Sequence, residues 1–199
     1  MRQISIFLLA VLMVAATALG QNTKSPSASA PQAQQPPTLA ATIDRDISGV
    51  EKQVIDAAEA MPEDKFNFSP ESLNIPGDDY KGVRTFAQQV KHVAAVNYIF
   101  GATILNEKPP VDVGGESGPD SVKSKAEIMQ FLKDSFAYLH KAVASINDKN
   151  ALDEVSLFGM KFSRLSVGSF STAHPFDHYG QMVEYLRMNS IIPPASRGK

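Results

Sequence analysis

The chain has 199 residues, 43% hydrophobic and 20% charged, which suits one ordinary domain and excludes a collagen-like or wholly disordered chain. A net charge of −2 supplies no basic field for nucleic acid. The absence of cysteine excludes disulfides, thiolate metal sites and thiol nucleophiles, and with only four histidines any histidine chemistry falls to His92, His140, His174 and His178.

Met1 to Gly20 reads as a secretory leader. Arg2 precedes an apolar run from Ile4 to about Ala16, and small residues Ala18 and Gly20 stand before a cut at Gln21. The run is short for a membrane span, which takes about 20 residues. Residues 21–40 are rich in Pro, Ser, Ala and Gln with Lys24 as their one charge, so they read as a flexible tether. The reading therefore divides the chain into a leader at 1–20, a tether at 21–40 and a single folded domain at 41–199. Once the leader is cleaved, no membrane span is expected.

Four helical segments follow. Ile43, Ile47, Val50, Val54, Ala57 and Met61 recur at three- and four-residue steps, which predicts a helix over 41–61 stopped by Pro62. A second helix is predicted over 80–105. It carries one stripe of Val83, Phe86, Val90, Val93, Asn97 and Phe100, and beside it a second of Thr85, His92, Val96 and Ile99. Gly and Pro between Asn106 and Ser121 break the chain. Ile128, Leu132, Ser135, Leu139, Ala142 and Ile146 follow the seam spacing of a bundle helix, predicted over 123–146. The last segment ends near Asn189. Ser163 is one candidate start, and Pro175 predicts either a kink near residue 171 or a helix beginning there. Sustained alternation is absent, so the predicted fold is all-α, an up-and-down four-helix bundle.

His174 and His178 lie four apart, one turn above the other on one helical face, and Gln181 and Tyr185 continue that face. Two neutral imidazoles at this spacing can address one cation, but the pair alone is a weak signal and better fits hydrogen-bonded boundary histidines with nothing bound. His92 lies among apolar residues on another helix, where a metal site in a bundle would draw its third ligand. Such a three-histidine set leaves a coordination position for water or substrate. His140 falls off the seam of its helix and reads as a surface or boundary residue. Asp44, Asp46, Glu51 and Glu59 read as a solvated face, and Gly114-Gly115 as a turn. No Glu-x-x-His pair exists for a di-iron site, since residue 89 is Gln and residue 175 is Pro. Gln181 is a candidate outer partner of a histidine or of bound water.

The run His174-Pro-Phe-Asp-His178-Tyr-Gly-Gln181 and its apolar continuation resemble the final helix of DinB-like proteins. Thr85-Phe-Ala-Gln-Gln-Val-Lys-His92 resembles the second helix of that family, and Glu59 to Pro70 its first helix and exit. The resemblance spans about residues 41–199 and implies a bundle of DinB/YfiT type. It also implies a divalent metal (zinc, nickel or manganese) held by His92, His174 and His178. Activities implied across the family are metal-dependent hydrolysis and thiol S-transfer or isomerisation. Pro175 and the leader depart from its usual pattern. The expectation is an exported metal-binding bundle acting on a small molecule. A non-enzymatic metal or ligand carrier of the cell envelope, and a homodimer with structural histidines, are the other readings.

Overall fold

The computed structural model describes residues 36–115 and 117–198. The predicted leader and residues 21–35 of the tether lie outside them. Four helices dominate: α1 (Leu39–Ala60), α2 (Phe86–Leu105), α3 (Lys125–Val143) and α4 (Arg164–Met188). One hairpin, β1 (Glu154–Leu157) and β2 (Met160–Ser163), lies between α3 and α4. The chain is thus an all-α helical bundle carrying one short hairpin.

Local chemistry sets the helix ends. Thr38 caps α1 by accepting a hydrogen bond from the Ala41 amide, so α1 begins two residues before the expected position. A capping box of Thr85 and Gln88 starts α2 at Phe86, and a second box of Ser124 and Glu127 starts α3 at Lys125. These boxes overrule the predicted starts at 80 and 123. Two remaining amides of α2 are satisfied from the preceding loop, Phe86 by the Phe68 carbonyl and Ala87 by the Phe66 carbonyl. Ser163 caps α4 through the Ser166 amide, and the helix runs unbroken to Met188. No new helix begins at residue 171. Pro175 withholds the amide that would have bonded the Ser171 carbonyl, yet α4 continues around it.

The helices form a ring in which α1 packs on α3 and α4, and α2 also packs on α3 and α4. Paired positions give their directions. Asn97 Nδ2 donates to Ser135 Oγ at 3.2 Å, and a Cβ on Gly101 would meet Tyr138, so α2 and α3 run parallel. Lys125 at the start of α3 reaches the Met61 carbonyl at 2.6 Å, and His140 near its end reaches Asp44, so α1 and α3 run antiparallel. Gly168 lies against Ile43, and Lys65 reaches the Asn189 carbonyl, so α1 and α4 are parallel. The two parallel neighbours α2 and α3 require the segment after Asn106 to return along the bundle, and Lys91 Nζ pins it to the Pro119 carbonyl at 3.1 Å.

The predicted seams are buried. Ile47, Val50, Val54 and Ala57 of α1, Phe86, Val90, Val93 and Phe100 of α2, and Leu132, Leu139 and Ala142 of α3 are all inaccessible. Val83 lies ahead of α2 and is exposed. The hairpin was not expected from sequence. Its strands have four residues each, and its turn is Phe158-Gly159, both with positive φ (51° and 76°). Such a turn usually announces itself with Asn or Gly at its first central position. Among the described residues, no helix is long and apolar enough to cross a membrane.

Candidate metal centre

His92 lies in the second turn of α2, and His174 and His178 lie mid-way along the antiparallel α4. Antiparallel packing brings the three rings together. His174 Nε2 stands 3.1 Å from His92 Nε2 and 3.1 Å from His178 Nε2. One nitrogen from each ring lies within 4.8 Å of the other two. Phe100 packs edge-on against His174, with centroids 5.6 Å apart. His178 is buried, and His92 and His174 are half-buried.

Burial strips water from these rings and disfavours their charged forms. It is the largest influence on His174, whose pKa falls to about 3, with the neighbouring His178, His92 and Arg84 adding to the effect. His178 falls to about 4, first by burial and then by His92, with an opposing pull from Asp177 and a lesser further lowering from Arg84. Both are neutral at pH 7 and offer lone pairs.

A relay of three hydrogen bonds fixes which nitrogen of His178 is bare. Asp177 Oδ2 accepts from Gln181 Nε2 at 3.0 Å, and Gln181 Oε1 accepts from Gln89 Nε2 at 2.7 Å. Gln89 Oε1 then faces His178 Nδ1 at 2.8 Å. Because the carboxylate can only accept, both amides are oriented, and Nδ1 of His178 must be the donor. Its Nε2 is thereby left as a lone pair pointing at His174. Gln181 acts in this relay through Gln89.

The donor set fits a divalent cation. With bonds of about 2.0–2.1 Å, nitrogens 3.1 Å apart subtend roughly 95–102° at the ion, between octahedral and tetrahedral values. Hydrogen bonds among the rings serve less well, since a single hydrogen on His174 Nε2 cannot meet both neighbours. His174 Nδ1 is buried without a partner and stays so whether or not a cation occupies Nε2.

A cavity of about 410 Å³ opens beside His92. Arg84, Ala95, Val96, Ile99, Gly114, Gly115 and Phe158 complete its walls. Asp112 Oδ1 accepts from the Gly114 amide, and Gly115 forms an isolated antiparallel bridge with Gly118 in place of the simple turn expected. The place of Gly114-Gly115 against the histidines was not legible from its sequence.

The scan of protein families matches the chain to the DinB superfamily over residues 46–182, more than half its length. The chain belongs to the DinB superfamily. It is similar in fold to a DinB-like protein of Bacillus cereus ATCC 10987, with a TM-score of 0.58, 14% identity, and coverage of 76% of this chain and 93% of that one. It is likewise similar to the DinB-like protein YjoA of Bacillus subtilis, with a TM-score of 0.55, 15% identity, and coverage of 75% and 92%. At these identities the likeness concerns the fold. No functionally curated protein matches the chain by sequence.

His140 lies apart from the other three. Its Nδ1 stands 2.6 Å from Asp44 Oδ1 and its Nε2 3.0 Å from Glu51 Oε2, which clamps α3 to α1. Asp44 and Glu51, read from sequence as merely solvated, are its partners. Glu59 is also engaged, with Lys133 at 2.8 Å. Sequence reasoning missed Gln89 as a functional residue. The available signal was its position three residues before His92, on the same helical face, where a di-iron template would place Glu.

Proposed function

We propose that this DinB superfamily member is an exported protein that binds one divalent metal through Nε2 of His92, His174 and His178 and uses it to transform a small molecule. The observation that carries the reading is the convergence of three imidazole nitrogens within 4.8 Å of one another, with His174 Nε2 at 3.1 Å from each of the other two. An ion held by three neutral ligands keeps its full charge, polarises a carbonyl and activates water near neutral pH, or steadies a thiolate. The chain's own residues have separate work. Gln89 holds the His178 tautomer, Asp177 and Gln181 hold Gln89, and Phe100 backs His174. Arg84 lines the cavity, and its charge disfavours protonation of His174. Hydrolysis of an ester or amide and S-transfer are the two reaction classes this supports, with zinc, nickel or manganese as the ion. Export rests on the Met1 to Gly20 pattern.

The alternative is a non-enzymatic metal or ligand carrier, which the same three histidines would serve. A panel of ester and thiol-transfer substrates, run on metal-loaded protein with and without chelator, separates the two. Turnover that chelator abolishes and His178→Ala removes supports catalysis. Full metal occupancy with no turnover supports the carrier. N-terminal sequencing of protein recovered from the exporting host tests the leader: a start at Gln21 is expected, and a retained Met1 in a cytoplasmic fraction contradicts export.

A further inference from the structure

The apolar pattern of α2 does not by itself choose which side of the helix faces which neighbour. Val93 to Tyr98 are six successive buried residues, more than one full turn. Val93, Ala94, Ala95 and Val96 would pack against α3 or α4 alike. Asn97 is the exception. It is fully buried, and its Nδ2 donates to Ser135 Oγ of α3 at 3.2 Å. Ser135, also fully buried, passes its own hydrogen to the Leu132 carbonyl at 2.7 Å. Asn97 Oδ1 is buried without a hydrogen-bond partner. Such an amide adds little net stability, because its unmatched oxygen offsets the bond that its nitrogen makes. What it supplies is discrimination. A rotation that turns another of these residues toward α3 takes Asn97 off Ser135 and leaves the whole amide unmatched within the core. Gly101, which admits the Tyr138 ring, lies one turn farther along the same contact, but a glycine imposes no such penalty in an apolar surrounding.

We propose that the Asn97–Ser135 pair is a rotational lock on α2 that holds His92 opposite His174 and His178, so that Asn97 and Ser135 are positioning residues of the three-histidine site. His92 stands five residues before Asn97, about 140° round the helix axis, on the side that meets α4. A side chain reaches about 5–6 Å from the axis, so a turn of about 100°, one residue's worth, swings the His92 ring by about 8–9 Å. Even about 20° moves it by about 2 Å. The site has no room for either, with His174 Nε2 at 3.1 Å from both His92 Nε2 and His178 Nε2. The use of the lock to a cation rests on the metal reading above, whereas the meeting of the rings is a property of the metal-free fold.

The test compares the full chain with Ser135→Ala and with the double variant Asn97→Val/Ser135→Ala, which keeps the volume of the pair close while removing its polar atoms. Ser135→Ala alone should lower the melting temperature, since it strips Asn97 of its partner, and adding Asn97→Val should bring it back to the parent's value or above. In the metal-free parent the ring protons of His92 and His178, whose centroids lie 4.6 Å apart, should give a nuclear Overhauser contact. The double variant should lose that contact or show doubled histidine ring signals. Its affinity for zinc, read by competition with a chromophoric chelator, should fall at least about tenfold. A double variant that keeps one set of ring signals, the parent's contact and zinc affinity within about twofold overturns the lock. A melting temperature well below the parent's also overturns it, because the pair would then serve stability. If the parent binds no zinc, the metal reading fails and the ring signals alone decide the lock.

Discussion

Replacing Gln89 by leucine keeps the size of a side chain that is 3% exposed and removes both ends of its amide. His178 Nδ1–H loses its acceptor at 2.8 Å, and Gln181 Oε1 loses its donor at 2.7 Å. His178 is buried, so the orphaned donor costs about 1–3 kcal/mol wherever Nε2 must stay bare. The other tautomer relieves that cost by placing the proton on Nε2, where it blocks the cation. Metal binding therefore bears the penalty, about 10- to 100-fold in dissociation constant, or about 1.4–2.7 kcal/mol. Competition against a chromophoric chelator measures it. Gln181→Ala is the graded control: it leaves the Gln89–His178 bond in place and should cost less. An affinity for Gln89→Leu within about twofold of the parent, with its fold intact, would refute the relay as the device that sets His178.

Two further predictions concern the bundle. Burial alone would lower the pKa of His140, but hydrogen bonds and charges from Asp44 and Glu51 outweigh it, and the net direction is upward. The clamp thus stabilises the fold fully below the unfolded pKa of about 6.5, and this contribution is lost as pH rises through the higher folded value. With Asp44 45% exposed, the effect stays below about 1 kcal/mol. Urea unfolding of the parent and His140→Gln should differ most at acidic pH, and a gap that widens above neutrality would contradict it. Gly101 faces α3 with no room for a side chain, since a Cβ there would lie 2.6 Å from the Tyr138 ring. Gly101→Ala should destabilise by about 1–3 kcal/mol despite alanine's better helix propensity, and unchanged or raised thermal stability would count against the packing described.

Periodicity revealed what depends on one helix at a time. The α3 seam from Ile128 to Ala142 is buried throughout, because a four-three spacing can only present one face, and Ile146 is buried just past the helix end. His174 and His178 were legible as a pair for the same reason. Their meeting with His92 depends on antiparallel packing of α2 and α4, and it entered the reading through bundle geometry and family resemblance. Contacts fixed by interhelical register stayed hidden. Gln89 reaches His178 across the bundle, and His140 finds Asp44 and Glu51 on a helix nearly a hundred residues away. The hairpin was invisible because four-residue strands hold too little alternation and Phe158 occupies a position where Asn or Gly is usual. The start of α2 was legible and missed: Thr85-x-x-Gln88 is a capping signature, and the apolar Val83 drew the boundary too early.

The central claim is that three histidines form one metal centre, and the metal content of untagged protein tests it most directly. Elemental analysis of the native exported protein should find about one divalent ion per chain, and His178→Ala should lose it while remaining folded. Protein that stays essentially metal-free after reconstitution with zinc, nickel and manganese would contradict the account.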